Sequence, residues 1–192
     1  AHRLHGSPAA RPALCPLTRV WTVKPLTMIA AGIAIIAIDI RVTNVDVVPD
    51  VIGWLVCFWA LLRLSRMHSW YGIGLAGAAL GAGASMFSLS GEEPPVLAAI
   101  ATLAMLLVIF GTCSGLMQAA ETTDRPTYKM ANLVRWLALV LSLAAVGVVV
   151  AGLAEGLVFA VAMANLVVLV WFGVLLVRSA AKSYAQPQLP TT

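Results

Sequence analysis

The chain has 192 residues, of which 61% are hydrophobic and 10% charged, with a formal net charge of +4. Soluble domains carry roughly 25% charged residues, so a water-soluble fold is excluded and lipid is the natural solvent for this much apolar surface. The positive balance does not mark a nucleic-acid binder, because the basic residues form no strip with interleaved aromatics and sit instead at the ends of apolar runs.

Residues 1–25 are basic and contain several prolines, with no apolar stretch before Leu26. A secretory leader needs about 7–15 apolar residues soon after its basic start. The segment is therefore expected to be a cytoplasmic tail drawn to anionic headgroups. Six apolar runs follow, at about 26–40, 51–67, 71–89, 95–119, 133–154 and 157–177. The breaks between them hold charge, Gly or Pro, as in "RLSRMHS", "SGEEPP", "ETTDRPTYK" and "AEG". The expected fold is an all-α integral membrane protein with six transmembrane helices over 26–178 and a short cytoplasmic tail over 179–192.

Charge fixes the expected orientation. If the N-terminus is cytoplasmic and sides alternate, eleven of the twelve Lys and Arg residues fall inside, and only Arg41 falls outside. That is the positive-inside pattern, and it places both termini in the cytoplasm. Trp21, Trp70, Tyr71, Tyr128 and Trp136 fall near the cytoplasmic interface, Trp54 near the outer one, and Trp59 and Trp171 deeper, as packing residues.

Small residues recur at helical spacing. Ala30 and Ala34 lie in the first run, Gly77 and Gly81 in the third, and Gly111 and Gly115 in the fourth. Such pairs let helix backbones approach, either within the chain or against a partner membrane protein or a second copy. Asn165, mid-way along the sixth run, is the clearest buried polar residue and is expected to hydrogen-bond between helices. No internal repeat is evident.

Motifs for chemistry are absent. His2, His5 and His68 lie outside the helix cores, which removes haem or metal sites built on intramembrane histidine pairs. Cys15, Cys57 and Cys113 form no C-x-x-C pair. "TCSG" at 112–115 lacks the first glycine of a serine-nucleophile motif and has no histidine base, so Ser114 reads as a packing hydroxyl. There is no phosphate-binding loop. No catalytic residue, cofactor or metal is expected.

The unusual stretch is "DIRVTNVDVVPDVIG", 39–53, between the first two runs. Those runs have about fifteen and about twelve uncharged residues, giving roughly 22 and 18 Å at ~1.5 Å per residue, short of the ~30 Å hydrocarbon layer. Their outer ends then stop below the headgroups, and the link reads as a structured loop lining a wet depression. Pro49 ends whatever precedes it, and Asp50 is suited to cap the second helix. Asp39 and Arg41 are placed to pair across the loop. The competing reading is an acidic cup of Asp39, Asn44, Asp46 and Asp50 offering oxygens to a cation or other ligand.

This hairpin resembles the signature of uncharacterised small multi-pass bacterial membrane proteins, D-I-x5-D-[IVL]-[LV]-P-D-x-I-G. It matches at Asp39, Ile40, Asp46, Val47, Val48, Pro49, Asp50, Ile52 and Gly53. The resemblance implies a bacterial cytoplasmic membrane and carries no activity. Size, helix count and the Ala30/Ala34/Ala37 stripe also resemble the substrate-capture subunits of energy-coupling-factor vitamin importers, without their long binding loop. Three readings stay open. The first is a non-enzymatic accessory or scaffold subunit with the bilayer and another membrane protein or itself as partners. The second is a small-solute or ion transport component, and the third a metal-dependent enzyme acting on lipid. Nucleic acid is not an expected partner.

Overall fold

The computed structural model describes residues 25–37, 41–42, 45–46, 50–88, 95–121, 124–150 and 155–185. Six helices carry the fold: α1 Pro25–Ala37, α2 Asp50–Ser65, α3 Trp70–Ser88, α4 Pro95–Ala120, α5 Arg125–Val150 and α6 Glu155–Ala185. Between α1 and α2 lie two short strands, β1 Arg41–Val42 and β2 Val45–Asp46, paired antiparallel. Pro25 and Pro95 open their helices and Pro126 sits in the first turn of α5, where a missing N–H costs nothing.

Among the described residues three helices are long and apolar enough to cross a membrane, namely α4 over Val96–Ala120, α5 over Arg125–Val148 and α6 over Gly156–Lys182. The sequence expectation was six. Helices α1 and α2 fall short because they have 13 and 16 residues, about 20 and 24 Å at ~1.5 Å per residue, and α3, with 19 residues, falls short in apolar composition. The last helix is longer than expected. It continues through Arg178 and Lys182 to Ala185, taking up the first part of the segment read as a tail.

Each helix packs against the next in sequence, and α6 returns to α1, closing a ring. Neighbours run antiparallel, as the contact pairs show. Ala30 is half-buried against the core, while Gly32 of α1 meets Gly53 and Cys57 of α2. Gly81 of α3 lies on the ring of Trp54 in α2, and Gly74 meets Leu61. Gly77 faces Ala104 and Val108 of α4, Gly111 faces Gly74 and Trp70, and Gly115 lies against the Tyr71 ring. The four glycines singled out in α3 and α4 are therefore filled by the protein's own helices, and the surface they would offer a partner is already occupied.

All six helices feed one core, with Ile29, Cys57, Leu61, Val108, Val134 and Phe172 among its most enclosed side chains. The buried Cys57 thiol donates to the Ile29 carbonyl at 3.7 Å, a link across the α1–α2 crossing. Outside, α5 exposes Leu133, Trp136, Val140 and Leu143, and α6 exposes Phe159, Met163, Val167, Val170, Val174 and Val177. Stripes this long and apolar exceed what water tolerates and suit a hydrocarbon surround. Trp59, expected to pack inside, is 53% exposed with the Arg63 guanidinium 5.6 Å over its ring.

The antiparallel alternation gives the ring two ends. One end gathers Arg63, Arg66, Arg125, Lys129, Arg178 and Lys182 with Asp124 and Glu121, and is called the basic end below. The other carries the starts of α2, α4 and α6, including Asp50 and Glu155.

Candidate functional sites

The hairpin at the acidic end is only partly described. Asp39 and Asn44 lie outside the described residues. The strand register sets Arg41 opposite Asp46 and Val42 opposite Val45. Asp50 is the first residue of α2, as Pro49 before it predicts.

Asp50 borders a cavity of about 330 Å³ between α1, α2, α3 and α4. Trp54, Ser85 and Thr102 line it with Asp50, and the rest of the lining is apolar, including Ile36, Leu97 and Met105. The Thr102 hydroxyl donates to the Ala98 carbonyl at 2.9 Å, so its oxygen stays available as an acceptor. Trp54 itself is buried at 2% exposure, wedged against Gly81, so one cavity wall is rigid. Among the described residues no group of three His, Cys, Asp or Glu stands ready to hold a metal ion.

A second cavity, of about 290 Å³, lies at the basic end among α3, α4 and α5. Arg135 is its charged floor. Arg135 is one of the basic residues of the positive-inside pattern, yet in "NLVRWLAL" it lies inside an apolar run rather than at its edge. It lies ten residues into α5, roughly 15 Å from the helix start. Its Nη1 donates to Ser114 Oγ at 3.4 Å and its Nη2 to Asn132 Oδ1 at 3.0 Å. Phe110 and Trp136 flank the guanidinium, with ring centroids 5.2 and 5.6 Å away. Ser114, read as a packing hydroxyl, is thus the arginine's acceptor on α4.

Near this cavity the ring is tied by charge. Asp124 caps α5 by accepting from the Thr127 N–H at 3.4 Å, and it also accepts from the Thr127 hydroxyl at 2.6 Å. Lys182 of α6 pairs with the same carboxylate and donates to Thr127 Oγ1 at 3.2 Å. The bond from Lys182, then those from Thr127, hold the Asp124 carboxyl below its usual pKa.

Other sequence candidates are dispersed. Ala34 is exposed on α1, with Ala31 and Ala37. Asn165 is half-buried on α6, and among the described residues its amide makes no side-chain hydrogen bond. No protein-family model, curated protein or solved structure matches the chain.

Proposed function

We propose that the chain is a non-enzymatic, multi-pass protein of a bacterial cytoplasmic membrane that crosses six times with both termini inside. We further propose that it takes up a small organic cation in the cavity beside Asp50. The orientation rests on the Lys and Arg distribution, and the compartment on the hairpin's resemblance to small bacterial membrane proteins. The observation that carries the ligand reading is the cavity itself. A carboxylate at its edge, the Trp54 ring on one wall and two hydroxyl acceptors among apolar side chains suit an ammonium on a short carbon frame.

The test is the thermal unfolding of the purified protein against a panel of small primary and quaternary ammonium ions. A ligand at one hundred times its Kd stabilises by ~2.7 kcal/mol, which at ~2–4 °C per kcal/mol is a rise of about 5–10 °C. Asp50→Asn is expected to abolish the rise while leaving the unliganded midpoint nearly in place. A panel with no stabilising member, or an Asp50→Asn protein stabilised as the parent is, removes the reading.

An accessory-subunit role is the second reading. Its support is the exposed small-residue face of α1, Ala31, Ala34 and Ala37, which the ring leaves uncovered. A stoichiometric partner seen in native mass spectra, and lost on widening Ala34 to Leu, is the outcome that would favour it.

A further inference from the structure

Arginines in membrane helices ordinarily extend their side chains toward water. Arg135 does not have that freedom. Phe110 and Trp136 lie within 5.6 Å of it, and it donates to Ser114 and Asn132, both neutral acceptors. Its Nε is buried and has no hydrogen-bond partner. Among the described residues no carboxylate pairs with it. A half-buried cation whose direct contacts are all neutral is costly, and the cost falls when an anion with two oxygens meets the guanidinium fork.

The cavity shows what kind of anion fits. Gln118 and the Tyr128 ring lie beside the floor, with Met117 and Trp70 adding apolar wall. Glu121, just past the end of α4, is an exposed carboxylate bordering the same cavity. A purely anionic ligand would be repelled there. A ligand with a phosphate for Arg135 and an ammonium for Glu121 and the aromatic faces answers every charge present. At about 290 Å³ the space is ample for a phosphate joined to a two-carbon amine.

The geometry points to a phospholipid headgroup site at the basic end, with Arg135 anchoring the phosphodiester and Glu121 selecting an ammonium-bearing head of the ethanolamine type. The cavity borders helices with exposed apolar flanks, including Trp136 beside the arginine, so acyl chains have a surface to lie on. The site is separate from the Asp50 cavity and does not rest on its role.

The experiment is native mass spectrometry of the purified full chain, titrated separately with phosphatidylethanolamine, phosphatidylglycerol and diacylglycerol. Inorganic phosphate and free phosphoethanolamine are added as competitors. One retained phosphatidylethanolamine is expected, held at least tenfold more than phosphatidylglycerol, with no retention of diacylglycerol. Arg135→Gln is expected to lose the lipid at least tenfold. Arg135→Lys should recover part of the loss, since an ammonium cannot make the two-pronged contact. Glu121→Gln, at an exposed position, should erase the preference between headgroups while keeping a bound phospholipid. A folded Arg135→Gln protein that retains phosphatidylethanolamine as the parent does overturns the site. Should that variant fail to fold, the parent decides, because equal retention of all three lipids overturns it as well. Full displacement by millimolar phosphoethanolamine would assign the site to a soluble phosphate compound and overturn the lipid assignment.

Discussion

Replacing Gly77 by alanine tests the close contact between α3 and α4. A Cβ there would lie 2.7 Å from the Ala104 carbonyl oxygen and 2.7 Å from Leu107 Cβ. Non-bonded carbons settle at ~3.5–4.0 Å, so α3 and α4 must part by roughly 1 Å locally. The atoms struck are a backbone oxygen and a Cβ, neither of which can rotate aside. Overpacking of this kind costs ~1–3 kcal/mol, and the higher helix propensity of alanine offsets ~1 kcal/mol of it. Gly83, six residues further along the same helix, has nothing within 4 Å of its Cβ position, so Gly83→Ala keeps only the propensity gain. The two variants should therefore differ by ~1–3 kcal/mol, which is several degrees in midpoint. The readout is exposure of the buried Cys57 and Cys113 thiols to a fluorogenic reagent on heating in detergent, in a Cys15→Ser background. If Gly77→Ala unfolds at or above the midpoint of Gly83→Ala, the tight α3–α4 contact is refuted.

Two further outcomes follow from geometry already given. Asp124 has a lowered pKa, so its contribution to stability is present above the unfolded value of ~3.9 and is lost as pH falls through the lower folded value. Asp124→Asn retains a capping oxygen but no charge for Lys182, and should flatten the acid limb of midpoint against pH; an unchanged limb sinks this. Trp54→Ala empties a site that is 2% exposed against Gly81 and should cost ~3–5 kcal/mol in the same thiol assay. A loss under ~1 kcal/mol would mean that the wall beside Asp50 is not packed.

Helix number was legible because charge, Gly and Pro interrupt the apolar runs, but α5 starts at Arg125, inside the "ETTDRPTYK" stretch read as a break, because Pro126 is tolerated in a first helical turn. The start of α2 at Asp50 was legible for the same reason, since a proline acts locally on the chain beside it. The strand pair was not, because strands of two residues show no alternation to read. Helix ends were also hard to place, since Arg178 and Lys182 mark an interface yet continue a helix without strain. The inward or outward sense of a side chain needs neighbours, so Trp59 was misassigned, and the glycine pairs could not be allotted to self or partner until α3 met α4. Arg135 was legible in principle. A charge three residues into an apolar run is a stronger signal than a charge at its edge, and treating both as topology markers hid it.

Closure of the ring by α6 against α1 bears on how the chain is made. As segments leave the ribosome in order, α2 to α6 each find an adjacent partner already in place, and these interfaces are local in sequence. Only α1 has a flank that must wait for the last helix. Until synthesis ends, that flank is open to a chaperone or insertase, and a nascent chain stalled before α6 would present a seam that quality control can recognise.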